Sequence, residues 1–419
     1  MNPTLGNGAH RTVITGWGAV TPLALDAGTT WKELLAGRSG IGPVTAFDCS
    51  DLPTRIAGEV DGFDGAAYLG HQQRRRMDRY SQYAYVAATE ALAQSGLPLD
   101  EATAARTGVL IGSGYGPTSA QAGYLQVLWE KGPRAVSPLA SVAGAIDSAA
   151  GEISMGFGLT GPSRALSSAC ASGTDALGEA MRWIRHGVVD AVVAGGSEDI
   201  ITRIDMASTG NAKALSRRND DPQAASRPFD EDRDGFVMSA GSAVAVLESA
   251  GSAQARGAAI LAEVVGYAST SDAHHRTAPH PEGRGVRAAM RGALDDARVA
   301  PDAVGYVNAH GTSTVLNDAG ELAAIRAVLG DHATTIPISS TKSMTGHLIG
   351  GTGALEALVA TRVLGDGAVP PTINCHRPIA ADINFVAHEA QEHDVDVVLS
   401  NSFGFGGHNA SLVLRRWRG

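Results

Sequence analysis

Cys170 stands in Ser168-Ala169-Cys170-Ala171-Ser172-Gly173, directly ahead of a run that places Leu177, Ala180, Met181 and Ile184 on one helical face. A thiol at a helix start meets amides without internal partners and the positive end of the helix dipole. Its pKa is therefore expected below the free value of about 8.5, and its thiolate can serve as a nucleophile. Small neighbours allow a sharp turn that presents the sulfur and lets a carbonyl group come close to the backbone. Cysteines commonly do no more than pack, and this stretch alone leaves packing and catalysis evenly matched.

Three later stretches offer complementary chemistry. Val307-Asn308-Ala309-His310-Gly311-Thr312-Ser313-Thr314 ends an apolar run with an imidazole that the backbone can aim. Ser340-Thr341-Lys342-Ser343-Met344-Thr345-Gly346-His347 puts a cation and a second imidazole in a glycine-bounded turn before a helix, although a capped helix with solvated charges would look similar. Asn401-Ser402-Phe403-Gly404-Phe405-Gly406-Gly407 sets aromatics among glycines, which gives an apolar lip and free amides able to stabilise an oxyanion, or a plain glycine-rich turn.

The elements that must position these groups form an α/β pattern. Residues 11–18 read as a buried strand ending in glycines, 30–36 and 81–95 as helices, and 106–114 as a second strand. A helix over 286–297 and a strand over 304–311 repeat the second pair. The nucleophile unit recurs too: Ser168-Ala169-Cys170, its helix and the strand from Ala191 match Ser340-Thr341-Lys342, a helix over 354–363 and a strand over 396–399. Two similar halves are inferred, residues 1–255 and 256–419, with Cys170 in the first and His310, Lys342 and His347 in the second. Ligands of such sheets bind beyond the carboxyl ends of strands, so the groups would meet between the halves.

Composition sets bounds. The 419 residues are 44% hydrophobic and 5% aromatic with 52 glycines, as suits a globular α/β protein with tight turns. A net charge of -10 argues against general nucleic-acid binding. Three cysteines, Cys49, Cys170 and Cys375, make no disulfide framework, and no apolar run is long enough to cross a bilayer; a cytoplasmic protein is expected.

Together, the four motifs resemble those of the β-ketoacyl-[acyl carrier protein] synthases of the thiolase superfamily, over nearly the whole chain. The resemblance implies a thiolase-like fold, with two βαβαβαββ halves in a five-layered αβαβα arrangement. It implies a ping-pong condensation: an acyl chain moves from carrier protein to Cys170, then malonyl carrier protein loses carbon dioxide and attacks the thioester. The amides of Cys170 and Phe405, with Gly406 beside them, would hold the acyl oxyanion, and His310 and His347 the malonyl thioester and its enolate. Lys342 would order the site through Glu321, which follows Asp318. Phe405 resembles a gate, and Tyr115 and Ala140 occupy acyl-pocket positions.

Arg75, Arg76, Arg134 and Lys213 include positions resembling a docking surface for acyl carrier protein bearing phosphopantetheine thioesters. The resemblance implies no cofactor and no metal, and a homodimer or a heterodimer with a chain-length-factor-like subunit. Tyr115, Ala140, Val315-Leu316-Asn317 and Ser239-Ala240-Gly241-Ser242 depart from the fatty-acid pattern, which favours chain elongation in a type II polyketide or polyene pathway. A housekeeping fatty-acid elongating synthase is the alternative. A thiolase would need a second cysteine in the loop 401–409, which has none, and Cys375 reads as structural; a non-catalytic chain-length partner would lack Cys170.

Overall fold

The computed structural model describes residues 11–419, and the observations below concern those residues. Ten strands form one continuous sheet: β1 (Thr12–Val20), β2 (Thr107–Gly112), β3 (Ser163–Leu166), β4 (Ala191–Glu198), β5 (Gly241–Ser249), β6 (Ala262–Ser271), β7 (Tyr306–Asn308), β8 (Ile338–Ser339), β9 (Val397–Gly404) and β10 (His408–Arg415). Their spatial order is β8-β7-β9-β10-β6-β1-β5-β4-β2-β3.

The order exposes the repeat. Counted along each half, both sets of strands run 3-2-4-5-1, with parallel pairing among the outer three and antiparallel pairing among the inner ones. The halves join where Thr12, Val13 and Ile14 pair antiparallel with Val264, Glu263 and Ala262. The expected halves are thus separate in sequence but share one sheet.

Helices sort into layers on this sheet. The helices α1 (Arg79–Ser95), α2 (Thr118–Lys131), α3 (Ser148–Phe157), α4 (Ser172–Arg185), α5 (Arg284–Ala297), α6 (Val315–Leu329) and α7 (Thr352–Asp366) include all those that matter to the site. α1 and α3 cover the outer face of the first half, and α5, backed by α6, that of the second. Between the two stand α4 and α7, which touch each other and strands of both halves, completing the five αβαβα layers. Burial on both faces explains why β1, β4 and β5 are buried at every residue and why their sequences show no alternation. α1 is bounded as its sequence suggests, with the Asp78 side chain accepting from the Tyr80 amide and Gly96 closing it in the left-handed conformation.

One correspondence read from sequence shifts. α4 follows a single 3₁₀ turn, Ala169–Ala171, and α7 follows another, Ile349–Gly351, each entered through a residue with positive φ, Ala169 at 51° and Ile349 at 45°. The repeat equivalent of Cys170 is therefore Gly350, not Lys342. The matched Ser-x-Lys triplet misled because the second half spends an extra short helix, Lys342–Thr345, before reaching the equivalent turn.

Candidate active site

Cys170 lies at the tip of the turn into α4, buried, with His310 from the end of β7 and His347 from the loop before α7. The sulfur and one nitrogen of each imidazole all lie within 4.8 Å of one another. Such a trio could hold a soft metal ion. Two backbone amides, those of Phe405 and of Cys170 itself, also reach the sulfur, which favours an anion-stabilising site around a nucleophile. Gly404 makes this approach possible: a side-chain carbon there would come within 2.9 Å of the Cys170 nitrogen.

The two rings are held differently. His347 donates its main-chain N–H to Val237 and accepts at its carbonyl from Ser239, so the segment 237–239 fixes its backbone. Ser239, one of the sequence departures, also donates its hydroxyl to the Thr345 carbonyl at 2.6 Å. The Ile349 amide donates to His347 Nδ1 at 3.2 Å, which places the ring proton of the neutral imidazole on Nε2. That nitrogen is buried without a partner, a donor ready for an oxygen atom in the cavity. His310 packs edge-on to His347, ring centroids 5.3 Å apart, and against the ring of Phe403 at 5.8 Å, and its Nδ1 is buried without a partner.

Behind the rings lies a buried charge network. Glu321 accepts from the amides of His310 and Gly311 at 2.8 and 2.7 Å and from Asn401 Nδ2 at 3.3 Å, bracing the backbone that carries His310. Lys342 donates to the His310 carbonyl and to Glu356, both at 2.5 Å. The expected Lys342–Glu321 tie is corrected: the partner is Glu356, on the second turn of α7, because Glu321 is already engaged by amides. Glu356 was missed as one acid within the apolar run Ala354-Leu355-Glu356-Ala357-Leu358; its signal was that an acid there has to face the core.

Burial governs the proton affinities. It pushes the Cys170 thiol up to about 11, against the amide of Phe405 and the charge of Lys342, which pull it down. The lowered pKa expected from a helix N-terminus is therefore not found; a sulfur shut away from water outweighs the dipole. Both histidines are driven well below their ordinary value by burial first, with Lys342 and, for His310, His347 adding to it, so the rings are neutral near pH 7. Glu321 and Glu356 are each raised by burial to about 7.

A cavity of about 290 Å³ opens onto Cys170, His310 and His347 and is lined by Phe403, Gly404 and Phe405 on one side. Phe405 stands at the sulfur and near Phe236, ring centroids 6.4 Å apart. Val315, Leu316 and Asn317, the departure from the family pattern, line the mouth together with Lys213, Thr277, Ala278 and Pro279.

Other expected positions fall elsewhere. Tyr115 does not line this cavity; it is 37% exposed, and its phenol is near Thr209 and feels the charge of Cys170. Ala140 is half-buried at the start of a short helix, Ala140–Ala143, and also stays outside. Gly406 is exposed, donates its amide to the Arg276 carbonyl at 2.8 Å and therefore is not an oxyanion donor to this site. Of the four docking candidates only Lys213 reaches the cavity; Arg75, Arg76 and Arg134 are exposed and do not line it. No helix among the described residues is long and apolar enough to cross a membrane.

Known proteins are similar to this chain over nearly its whole length. The family model "Beta-ketoacyl synthase, N-terminal domain" matches residues 9–253, and "Beta-ketoacyl synthase, C-terminal domain" matches 261–376. The 3-oxoacyl-[acyl-carrier-protein] synthase 2 of Synechocystis sp. is 45% identical over 409 residues, 97% of this chain and 98% of that protein. Among solved structures, the ishigamide ketosynthase/chain length factor has a TM-score of 0.90 at 34% identity, covering 98% of this chain and 100% of that one. The AntDE:AntF complex of a type II polyketide acyl-carrier protein with its ketosynthase has a TM-score of 0.89 at 31% identity, with coverage of 98% and 100%. With a thiol, two neutral imidazoles and paired amides at the junction of two thiolase-like halves, and with both domain models matched, this chain belongs to the β-ketoacyl synthase family of acyltransferases.

Proposed function

We propose that the protein condenses a Cys170-bound acyl chain with malonyl carrier protein, as an elongating synthase of fatty-acid type. The observation that carries this is the convergence of the Cys170 sulfur, two imidazole nitrogens and the Phe405 and Cys170 amides at the inner end of one cavity. The 45% identity to a 3-oxoacyl-[acyl-carrier-protein] synthase 2, against 31% to the type II polyketide ketosynthase and 34% to the ishigamide ketosynthase/chain length factor, favours the fatty-acid reading over the polyketide or polyene pathway expected from the sequence departures.

The geometry supports each step. With the thiol protonated and both rings neutral, His310 takes the thiol proton as sulfur attacks the acyl thioester, since His347 Nε2 already carries a proton, and the imidazolium gives that proton to the departing carrier thiolate. The tetrahedral oxyanion points at the Phe405 and Cys170 amides. In the second half-reaction the malonyl thioester oxygen accepts from His347 Nε2–H and from His310, which stabilise the enolate left when carbon dioxide departs. The enolate carbon attacks the acyl carbonyl, the same amides hold the new oxyanion, and the carbon–sulfur bond to Cys170 breaks, releasing a thiolate that takes up a proton from water to restore the thiol.

Phosphopantetheine-bearing acyl carrier protein is the proposed substrate carrier, delivered at the mouth bearing Lys213, Val315 and Leu316. A second subunit, a copy of this chain or a chain-length-factor-like relative, is proposed over α2 and its surroundings, where Trp129 is 80% and Met155 69% exposed. Mixing the protein with acyl and malonyl carrier proteins should release carbon dioxide and a β-ketoacyl carrier product. Absence of product with a range of acyl lengths, in protein whose Cys170 alkylates normally, would refute the reading.

A further inference from the structure

Glu198 ends β4 with its carboxylate fully buried and surrounded by donors alone. Oε1 accepts from Ser113 Oγ at 2.8 Å and from the amides of Tyr115 and Gly116 at 3.2 and 3.3 Å. Oε2 accepts from the amides of Gly114 at 2.7 Å and Gly350 at 3.0 Å. The first three amides belong to the glycine turn after β2, in the first half. Gly350 belongs to the second half and is the repeat equivalent of Cys170, so its amide corresponds to one that reaches the nucleophilic sulfur. The backbones meet closely: a side-chain carbon on Gly350 would lie 2.5 Å from the Gly114 nitrogen and 2.8 Å from Glu198 Oε2.

The two ends of this contact lead directly to reacting groups. Gly350 follows Ile349, whose amide sets the tautomer of His347. On the other side, Gly114 stands against the carbonyl of Ala169, the residue before Cys170, and the Tyr115 phenol feels the charge of the sulfur. We infer that Glu198 is a positioning residue that holds His347 of one half in register with Cys170 and Tyr115 of the other, by filling a second amide pocket with an internal anion. The device works in the ionised state, because the four amides around the carboxylate can only donate; a protonated carboxyl would have the Ser113 hydroxyl as its one acceptor and would have to reverse that bond. Burial raises the proton affinity of Glu198 to about pH 7, so the pocket loosens on the acid side of neutrality. The titratable groups that feel its charge are Cys170 and Tyr115, whereas the next residue, Asp199, turns to Asp78, Arg79 and Asp205.

This inference rests on the reading of Cys170 and His347 as reacting groups, and one arm of the test is independent of it. Glu198→Gln keeps the volume but turns an amide NH₂ toward amide donors. Condensation at saturating carrier substrates should fall at least about tenfold with little change in KM, the scale of one misplaced transition-state donor. Alkylation of Cys170 by iodoacetamide should shift to lower pH, since a buried negative charge near the sulfur is gone; a merely structural role would not move that profile. Ser113→Ala removes one donor to the ionised carboxylate, so the acid limb of the condensation profile should move up by about one pH unit. A folded Glu198→Gln variant with an unchanged rate and alkylation profile overturns the assignment. If that variant does not fold, an unmoved acid limb in Ser113→Ala overturns it alone. A shifted alkylation profile without any condensation in the unmodified protein would uphold Glu198 and sink the proposed function.

Discussion

Lys342 Nζ lies 2.5 Å from Glu356 Oε1 and 2.5 Å from the main-chain oxygen of His310, so a buried cation links the central helix α7 to the backbone of one reacting imidazole. The pair is nearly inaccessible to solvent, and the Glu356 Oε2 has no partner. Glu356→Gln would strand the ammonium, and removal of one member of a buried pair costs on the order of 3 kcal/mol or more. Urea denaturation of the variant should show that loss. Lys342→Met should cost less, because Glu356 and Glu321 can then take up protons at values already near neutrality.

The same lysine depresses both histidines. Taking its charge away should let their pKa values rise, so the acid limb of malonyl decarboxylation in Lys342→Met moves to higher pH. An unmoved limb would show that burial alone sets the ring protonation.

Cys170→Ala should lose acylation from acyl carrier protein while still decarboxylating malonyl carrier protein, because the imidazoles and not the sulfur stabilise the enolate. His310→Ala and His347→Ala should decarboxylate roughly 10² more slowly, the effect of a lost transition-state donor. A radiochemical carbon dioxide assay separates the cases, and normal decarboxylation in either histidine variant would disprove its role.

Folding stability should depend on pH in a particular direction. Glu198, Asp199, Glu321 and Glu356 are raised by burial to about 7, so the folded state holds extra protons as pH falls through 7, and stability increases there. The two histidines have the opposite sign: the unfolded chain protonates them below about 6.5, which offsets part of the gain. Tm should rise from pH 8 to 6.5 and then level. Calorimetry showing Tm highest at pH 8 would contradict the buried carboxylates.

Lys213 offers a test of docking, as the one candidate cation at the cavity mouth. Lys213→Glu should raise KM for carrier-bound substrates and weaken its salt dependence, with pantetheine thioesters nearly unaffected. Reversing Arg75, Arg76 and Arg134 tests whether the recognition surface extends away from the mouth. An equal loss on both substrate types would mean damage to the pocket.

What the sequence made legible was set by locality. Each motif puts its reacting group at the end of a strand or the start of a helix, so Cys170, His310 and His347 could be placed from a few neighbours. The βα periodicity gave the repeat in the same way. Partners far apart in sequence were not legible: Glu356 in place of Glu321, and Glu198 spanning the halves, depend on which amides have already claimed a carboxylate. The Cys170 proton affinity escaped for a related reason, since the depth of burial is a property of both halves and the helix-start argument considers only one. Gly406 was misread because its amide turns outward to Arg276, a loop choice that no local pattern encodes.

The Phe405 amide that reaches Cys170 comes from the loop between the last two strands of the sheet, long after the thiol has been synthesised. During translation the cysteine therefore precedes the amide that completes its site until residue 405 has been added. A fragment ending before residue 405 would retain the nucleophile and lack that amide. Acyl transfer assisted by that amide therefore waits for the end of the chain, whereas the sulfur itself, without the burial that raises its proton affinity, would ionise more readily in such a fragment.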